Sequence, residues 1–153
     1  MKDFYKLKLP LRPNVCLLIV NEKNKLFLGE RKGEPGVWQL PQGGVELEFS
    51  EEENALKEAS EETGADLHFF KIEKRLNSIN EYEWEIIPKY AKDKWRGQRQ
   101  TFWILRYAGR DIDIHIDLNK PQEFGSWLWA TVNEVKSMVE KIRLPGYLPA
   151  LSE

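Results

Sequence analysis

The sequence predicts an α+β sandwich, and two patterns carry that prediction. Short apolar or alternating runs, set off by turn residues, recur along the chain as strands do. They bracket one acidic helix over residues 50–64, and a second helix opens near residue 131. At 153 residues the chain suits one domain, 1–153, with room for a proper core. Its hydrophobic fraction of 41% and charged fraction of 31% are those of a soluble globular protein.

Taken in order, residues 2–11 mix lysines, aromatics and prolines and read as an irregular lead-in. Asn14 to Val20 is a short apolar run, expected as a buried strand. The turn Asn21–Asn24 and a second strand from Leu26 to about Glu30 complete a hairpin. Residues 31–36 form a loop with a proline and two glycines, and Val37 to Leu40 leads into Pro41-Gln42-Gly43-Gly44. Ser50 and Glu53 make a capping box that starts the acidic helix. Gly64 sits where a left-handed cap ends it.

Leu67 to Ile72 and Glu81 to Ile87 read as two further strands, followed by a basic loop over Pro88 to Arg96. Thr101 to Tyr107, β-branched and aromatic throughout, is a strong strand signal. Asp111 to Leu118 alternates strictly, with Ile112, Ile114, Ile116 and Leu118 on one side and acids with His115 on the other. A half-exposed strand explains that pattern without a metal. Trp127 to Ala130 is the last strand, and Thr131 with Glu134 caps the second helix. Its apolar stripe is Val132, Val135, Met138, Val139 and Ile142, and the proline- and leucine-rich tail from Leu144 is expected to pack loosely.

A net charge of −2 excludes a dedicated nonspecific nucleic-acid binder. Local asymmetry says more. Glu46 to Glu62 holds eight acids and one lysine, whereas Ile86 to Arg110 holds seven bases and one acid. One region suits cations, the other phosphates. Cys16, the one cysteine, lies in an apolar run and reads as a packed thiol. The longest apolar run, Val15 to Val20, is too short to span a membrane, and Met1 to Pro10 has no signal core. A cytoplasmic protein is expected.

On the acidic helix, Glu58, Glu61 and Glu62 point one way, with Glu51 near them, at about 100° per residue. Repulsion of about 0.2–0.5 kcal/mol per pair is tolerable, so a solvated acidic face accounts for them. A hard-cation site accounts for them too, since Mg²⁺ is held by a few carboxylates plus substrate phosphates.

The framing favours the cation. Gly43, Glu58, Glu61, Glu62 and Gly64 fall at the spacing of the Nudix box, and the chain resembles the Nudix hydrolases. The resemblance implies a Nudix-type α/β/α sandwich with a mixed sheet and a catalytic loop-helix at Gly43–Ala65. It also implies hydrolysis of a nucleoside diphosphate linked to another group, with Mg²⁺ as cofactor and Mn²⁺ as substitute. Glu58, Glu61, Glu62, Glu123 and Gly43 would serve the metal, and Glu62, Glu123 and Lys57 the catalysis, with Glu62 or Glu123 as general base. Two positions depart from the box. Phe49 stands where the first Glu belongs, with Glu48 a neighbouring substitute, and Lys57 stands where Arg belongs. Lysine keeps the charge and loses the planar fork.

Within the superfamily, Arg12-Pro-Asn-Val15, Trp38 to Gly44, Arg96 to Gln100 and Glu123-Phe124 resemble bacterial RNA pyrophosphohydrolases and dinucleoside polyphosphate hydrolases. The aromatic segment that helps hold the first base in that group has no counterpart after Arg143. The resemblance makes Arg12, Arg31, Gln42, Gln98, Gln100 and Tyr82 candidates for the substrate. Guanidinium matches phosphate bidentately, and Tyr82, Trp84 and Tyr90 either stack on a base or fill the core. Lys89, Lys92, Lys94, Arg96 and Arg99 either steer a 5′ RNA end or form a solvated loop. Removal of pyrophosphate from 5′-triphosphate RNA is the expected reaction. Hydrolysis of dinucleoside polyphosphates is the first alternative, and a weakly active nucleotide- or RNA-binding module the second. No membrane partner is expected, and the oligomeric state is left open.

Overall fold

The structure is a computed structural model that describes residues 9–153, so the expected lead-in at residues 2–11 falls largely outside it. Among the described residues seven strands form: β1 (Leu11–Val20), β2 (Leu26–Arg31), β3 (Trp38–Gln39), β4 (Gln42–Gly44), β5 (Phe70–Glu83), β6 (Gly97–Tyr107) and β7 (Phe124–Ala130). Three α-helices accompany them among the same residues: α1 (Glu51–Thr63), α2 (Val132–Met138) and α3 (Leu144–Leu151).

The sheet runs β3-β2-β1-β6-β5, with β4 added to β1 and β7 to β2. β1 and β6 are parallel from Leu11↔Gly97 to Val20↔Arg106, and the other pairs are antiparallel. A mixed sheet results. β1 and β2 share the single register pair Val20↔Leu26, at the turn where Asn21 Oδ1 accepts from the Lys23 and Lys25 amides and Asn24 turns left-handed at φ 59°.

β1 is buried from Asn14 to Ile19 because both sheet faces are covered, which is why it reads as an unbroken apolar run. Val15, Leu17 and Ile19 meet Ala55 and Ala59 of α1 in one core. Cys16 and Leu18 meet Val135, Tyr147, Ala150 and Leu151 of α2 and α3 in the other. The layers are therefore helix, sheet, helix. Small residues on α1 let it approach the sheet closely. Cys16 is packed as expected, and burial pushes its thiol up to about 12, which rules it out as a nucleophile.

Four expectations need correction. The strands expected at Leu67 to Ile72 and Glu81 to Ile87 fall on one strand, β5, which starts at Phe70 after a short 3₁₀ turn at Leu67–Phe69 and stops at Glu83, so Trp84 to Ile87 lie outside it. Its middle gives no alternation because register shifts near Lys74 and between Arg75 and Ile79 break the period, and β6 supplies the pairing.

The segment Asp111 to Leu118 is not a strand. It folds as two 3₁₀ turns, Asp111–Asp113 and Ile116–Leu118, that sink Ile114 and leave Ile112 68% and Leu118 63% exposed. α2 stops at Met138, where Val139 turns extended, so Val135 and Val139 are buried while Ile142 stays exposed. The tail from Leu144 is ordered as α3, with Pro in its first turn, because Tyr147, Ala150 and Leu151 complete the second core. Among the described residues no helix is long and apolar enough to cross a membrane.

Candidate active site

The site is built on the turn from β4 into α1. Ser50 Oγ accepts from the Glu53 amide, and the Glu53 carboxylate accepts from the Ser50 amide, which closes the expected capping box. Gly64 ends the helix at φ 73°, its amide on Ser60 O. Between Gly44 and Ser50 the loop is pinned by Asn54, 1% exposed. Its side-chain amide donates to Glu46 O and Ser50 O, and its oxygen accepts from the Glu46 amide at 2.9 Å. Asparagine within a helix is disfavoured by propensity, and here, in the first turn, the loop's orphan backbone groups justify it.

Glu58 and Glu62 face inward from α1. Burial pushes the Glu58 carboxyl up to about 7, and the neighbouring Glu61 adds to the rise. Burial pushes Glu62 up to about 9, reinforced by Glu123, Glu58 and Glu61. Oε2 of Glu62 is buried with no hydrogen-bond partner. Beside them, Gly43 has no room for a Cβ, which would land on the Glu58 carboxylate. Glu123 joins the group from the residue just before β7, where its charge acts on Glu62. Phe124, buried against Gly29 at the start of β7, anchors it, and the Glu123 carbonyl accepts from the Lys32 amide at 3.0 Å.

Glu61 is more open. Lys57 Nζ lies 3.3 Å from Glu61 and 2.7 Å from Glu46, over the Phe49 ring at 5.7 Å. The carboxylate that meets Lys57 is thus Glu46, three residues before the position Phe49 occupies, and not the neighbouring Glu48. Glu51 departs from the acidic group that the helical angle suggested. It accepts from Trp103 Nε1 at 3.0 Å and pairs with Arg75 at 3.4 Å.

These acids fit a divalent cation in charge and in donor chemistry. Without a cation, burial holds Glu62 and the half-buried Glu58 toward their protonated forms, and one Glu62 oxygen has nothing to bind. Among the described residues no three His, Cys, Asp or Glu side chains converge as a ready-made cage. Mg²⁺ does not need one, since it takes one or two carboxylates and completes its shell with water and substrate phosphate.

On the other face of β4, Gly44 makes way for the Arg12 guanidinium. Arg12 also lies over the rings of Tyr90 and Trp95. Beneath it runs a floor of amides. Asn14 Nδ2 donates to Gln98 Oε1 at 3.1 Å, and Gln100 Nε2 donates to Asn14 Oδ1 at 3.1 Å and to Gln42. Asn80 donates to Gln100, and Gln98 donates to the Tyr82 hydroxyl. Gln98 and Gln100 are therefore buried and mutually engaged, while Gln42 and Tyr82 are half-exposed at the rim. Arg31 ends β2 and holds Glu34 at 2.9 Å, and Lys32 follows it beside Glu123.

Of the residues that the sequence and its resemblance single out, the structure sets Glu58 against Gly43 and Arg12 against Gly44, brings Glu123 within electrostatic reach of Glu62, and buries Gln98 and Gln100 in the adjoining sheet. It leaves Arg31 on the adjoining strand end, tied to its own loop. Asn14, Glu46, Asn54 and Trp95 were not singled out. Only Asn54 carried a local signal, a polar residue at a helix position followed directly by Ala55 and Leu56.

Comparison with known proteins agrees with this geometry. The NUDIX domain model matches residues 10–149. The RNA pyrophosphohydrolase of Novosphingobium aromaticivorans is 36% identical over 149 residues, covering 95% of this chain and 92% of that protein. That of Zymomonas mobilis is 33% identical over 148 residues, covering 95% of each. Among solved structures, the E. coli dihydroneopterin triphosphate pyrophosphohydrolase superposes with a TM-score of 0.66 at 16% identity, covering 95% of this chain and 100% of that one. A C. elegans Ap4A hydrolase gives 0.63 at 17% identity, covering 91% and 95%. Both share the fold.

The fold and its acidic turn define a hydrolase of pyrophosphate bonds. The chain belongs to the NUDIX domain family, whose members generally use divalent metals.

Proposed function

We propose that this chain releases pyrophosphate from the 5′-triphosphate end of RNA, with Mg²⁺ as the metal and Mn²⁺ as a workable substitute. One observation carries the reading: the buried Glu62 carboxyl, with an unpartnered oxygen, beside Glu58, Glu123 and the Gly43 turn. The similarity to proteins named RNA pyrophosphohydrolase, spread over nearly the whole chain, supports the choice of substrate.

When bound, the metal supplies charge neutralisation for the phosphate chain and activation of the attacking water. Glu58 and Glu62 would hold it, with Glu61 and Glu123 at the rim. Gly43, with no side chain, lets the Glu58 carboxylate lie against the backbone of the turn. Arg12 binds the chain from the opposite side of the turn, and Lys57 keeps Glu61 and the loop in place through Glu46. Water adds to phosphorus, the anhydride bond between the α and β phosphates breaks, and pyrophosphate leaves a 5′-monophosphate. The water's proton goes to Glu62 or Glu123, groups that E62Q and E123Q separate. The amide floor of Gln98, Gln100 and Asn14 stiffens the sheet under Gln42 and Tyr82, which face the substrate. A cytoplasmic location fits the unpaired Cys16.

The test is a substrate panel with Mg²⁺, comparing 5′-triphosphate RNA with diadenosine tetraphosphate, and E61Q as control. Faster turnover of RNA supports the reading. Faster turnover of the dinucleotide reassigns the enzyme to dinucleoside polyphosphates, and binding of both without turnover makes it a nucleotide-binding module.

A further inference from the structure

Arg12 is placed in an unusual way for a phosphate-binding cation. Its Cζ lies 4.9 Å from the centroid of the Tyr90 ring and 5.2 Å from that of Trp95. Among the described residues it makes no hydrogen bond and no ion pair. An aromatic face attracts a guanidinium through its negative quadrupole without neutralising its charge. Two rings therefore fix the group in place and leave its donor fork available.

Both rings belong to the segment that joins β5 to β6, and that segment is itself braced. Ala91 is buried, the Lys94 and Trp95 amides donate to Ala91 O at 2.9 and 3.0 Å, and Trp84 meets Tyr90 edge-on at 5.9 Å. The Arg96 amide donates to Pro10 O at 3.0 Å, which ties the segment's end to the chain just before Arg12. On its remaining side the guanidinium abuts Gly44, one residue from the Gly43 that backs onto Glu58.

We propose that Tyr90 and Trp95 are positioning residues that hold the Arg12 guanidinium beside the Gly43–Gly44 turn, so that its N–H groups meet the substrate's phosphate chain. The proposal rests on the reading of this site as a polyphosphate site. It reassigns the Tyr90 ring from base stacking to the orientation of a cation, and it gives the basic segment a structural task that bulk charge does not explain.

The experiment is a double-mutant cycle read by calorimetric binding of inorganic tripolyphosphate, which has no base to stack, with Mg²⁺ present. Y90L and W95L are each expected to weaken binding about fivefold, as the loss of one cation–ring contact implies. In an R12A background the same replacements should change it less than about twofold. Y90F, which keeps the ring, should recover most of what Y90L loses. Equal weakening with and without Arg12, or no weakening in either, overturns the proposal. The polyphosphate reading fails separately: it fails if the unaltered protein turns over neither RNA nor dinucleotide, while the tripolyphosphate cycle still decides the role of the rings.

Discussion

Lys57 Nζ lies 2.7 Å from Glu46 Oε1, so the helix that carries the metal-facing acids is pinned to the loop that precedes it. Hydrogen bonding to Glu46 raises the Lys57 pKa, and Glu61 adds to it from one turn along. The contact joins residues eleven apart and restores a charge pair across the turn where Phe49 replaces an acid. Both partners are more than a third exposed, so the pair contributes little to stability, under about 1 kcal/mol. Its value is positional.

Accordingly, K57M should leave the melting temperature nearly unchanged and lower kcat/KM about tenfold, equivalent to about 1.4 kcal/mol at the transition state. Thermal melting and initial rates on the same preparation check both halves. A large drop in melting temperature with unchanged turnover would move Lys57 from the site to the scaffold.

Much of this region was legible beforehand because its signals are local. A capping box, a left-handed glycine and a fixed spacing of acids each depend on a few neighbouring residues, and Ser50, Gly64 and Glu58-x-x-Glu61-Glu62 declare themselves. What failed depends on distant partners. The alternation of Asp111 to Leu118 describes a strand with no neighbour to pair with, so it curls into turns that bury Ile114 alone. Glu51 sits at the right helical angle for the acidic face but is drawn off by Trp103 and Arg75, from two other strands. The continuity of β5 through its polar middle comes from β6, which no short window reveals. The contact of Arg12 with Tyr90 and Trp95 joins residues far apart in the chain that the parallel pairing of β1 and β6 brings together.

Asn54 is the clearest of the unforeseen residues. It is buried, and it serves Glu46 and Ser50 from both ends of its amide. N54A should cost about 2–3 kcal/mol in urea denaturation, because the loop's backbone groups lose their partner. Protease nicking at residues 46–49 should rise in parallel. A change below about 0.5 kcal/mol would mean that water replaces the side chain at no cost.

Gly43 has ordinary backbone angles, so its requirement is space. In G43A the new methyl meets the Glu58 carboxylate and displaces it. Activity should fall about a hundredfold, the penalty of shifting a site by about 1 Å, while the helical circular dichroism is retained. Full activity in G43A would show that Glu58 is free to move without consequence.

The buried acids also predict how stability depends on pH without metal. Glu62 is raised from 4.5 to about 9 and Glu58 from 4.5 to about 7. Between the ordinary value and the raised one, the folded chain binds more protons than the unfolded chain, so stability falls as pH rises through that window. Urea denaturation in a chelator should show the fall between pH 5 and 9, and E62Q should remove most of its upper part. By the same linkage, a divalent cation should stabilise the protein more at pH 8 than at pH 6, because its ligands must lose protons to bind. A parent and an E62Q variant with the same pH profile would contradict the burial of a charge-averse carboxyl.

The most direct measurement is the rate of pyrophosphate release from 5′-triphosphate RNA with Mg²⁺, compared between the parent chain and E62Q. Loss of about a thousandfold or more in E62Q, with an unchanged fold, is the result expected if the buried carboxyl with the unpartnered oxygen sits at the centre of the chemistry. An E62Q protein that releases pyrophosphate within about tenfold of the parent rate would place the chemistry elsewhere.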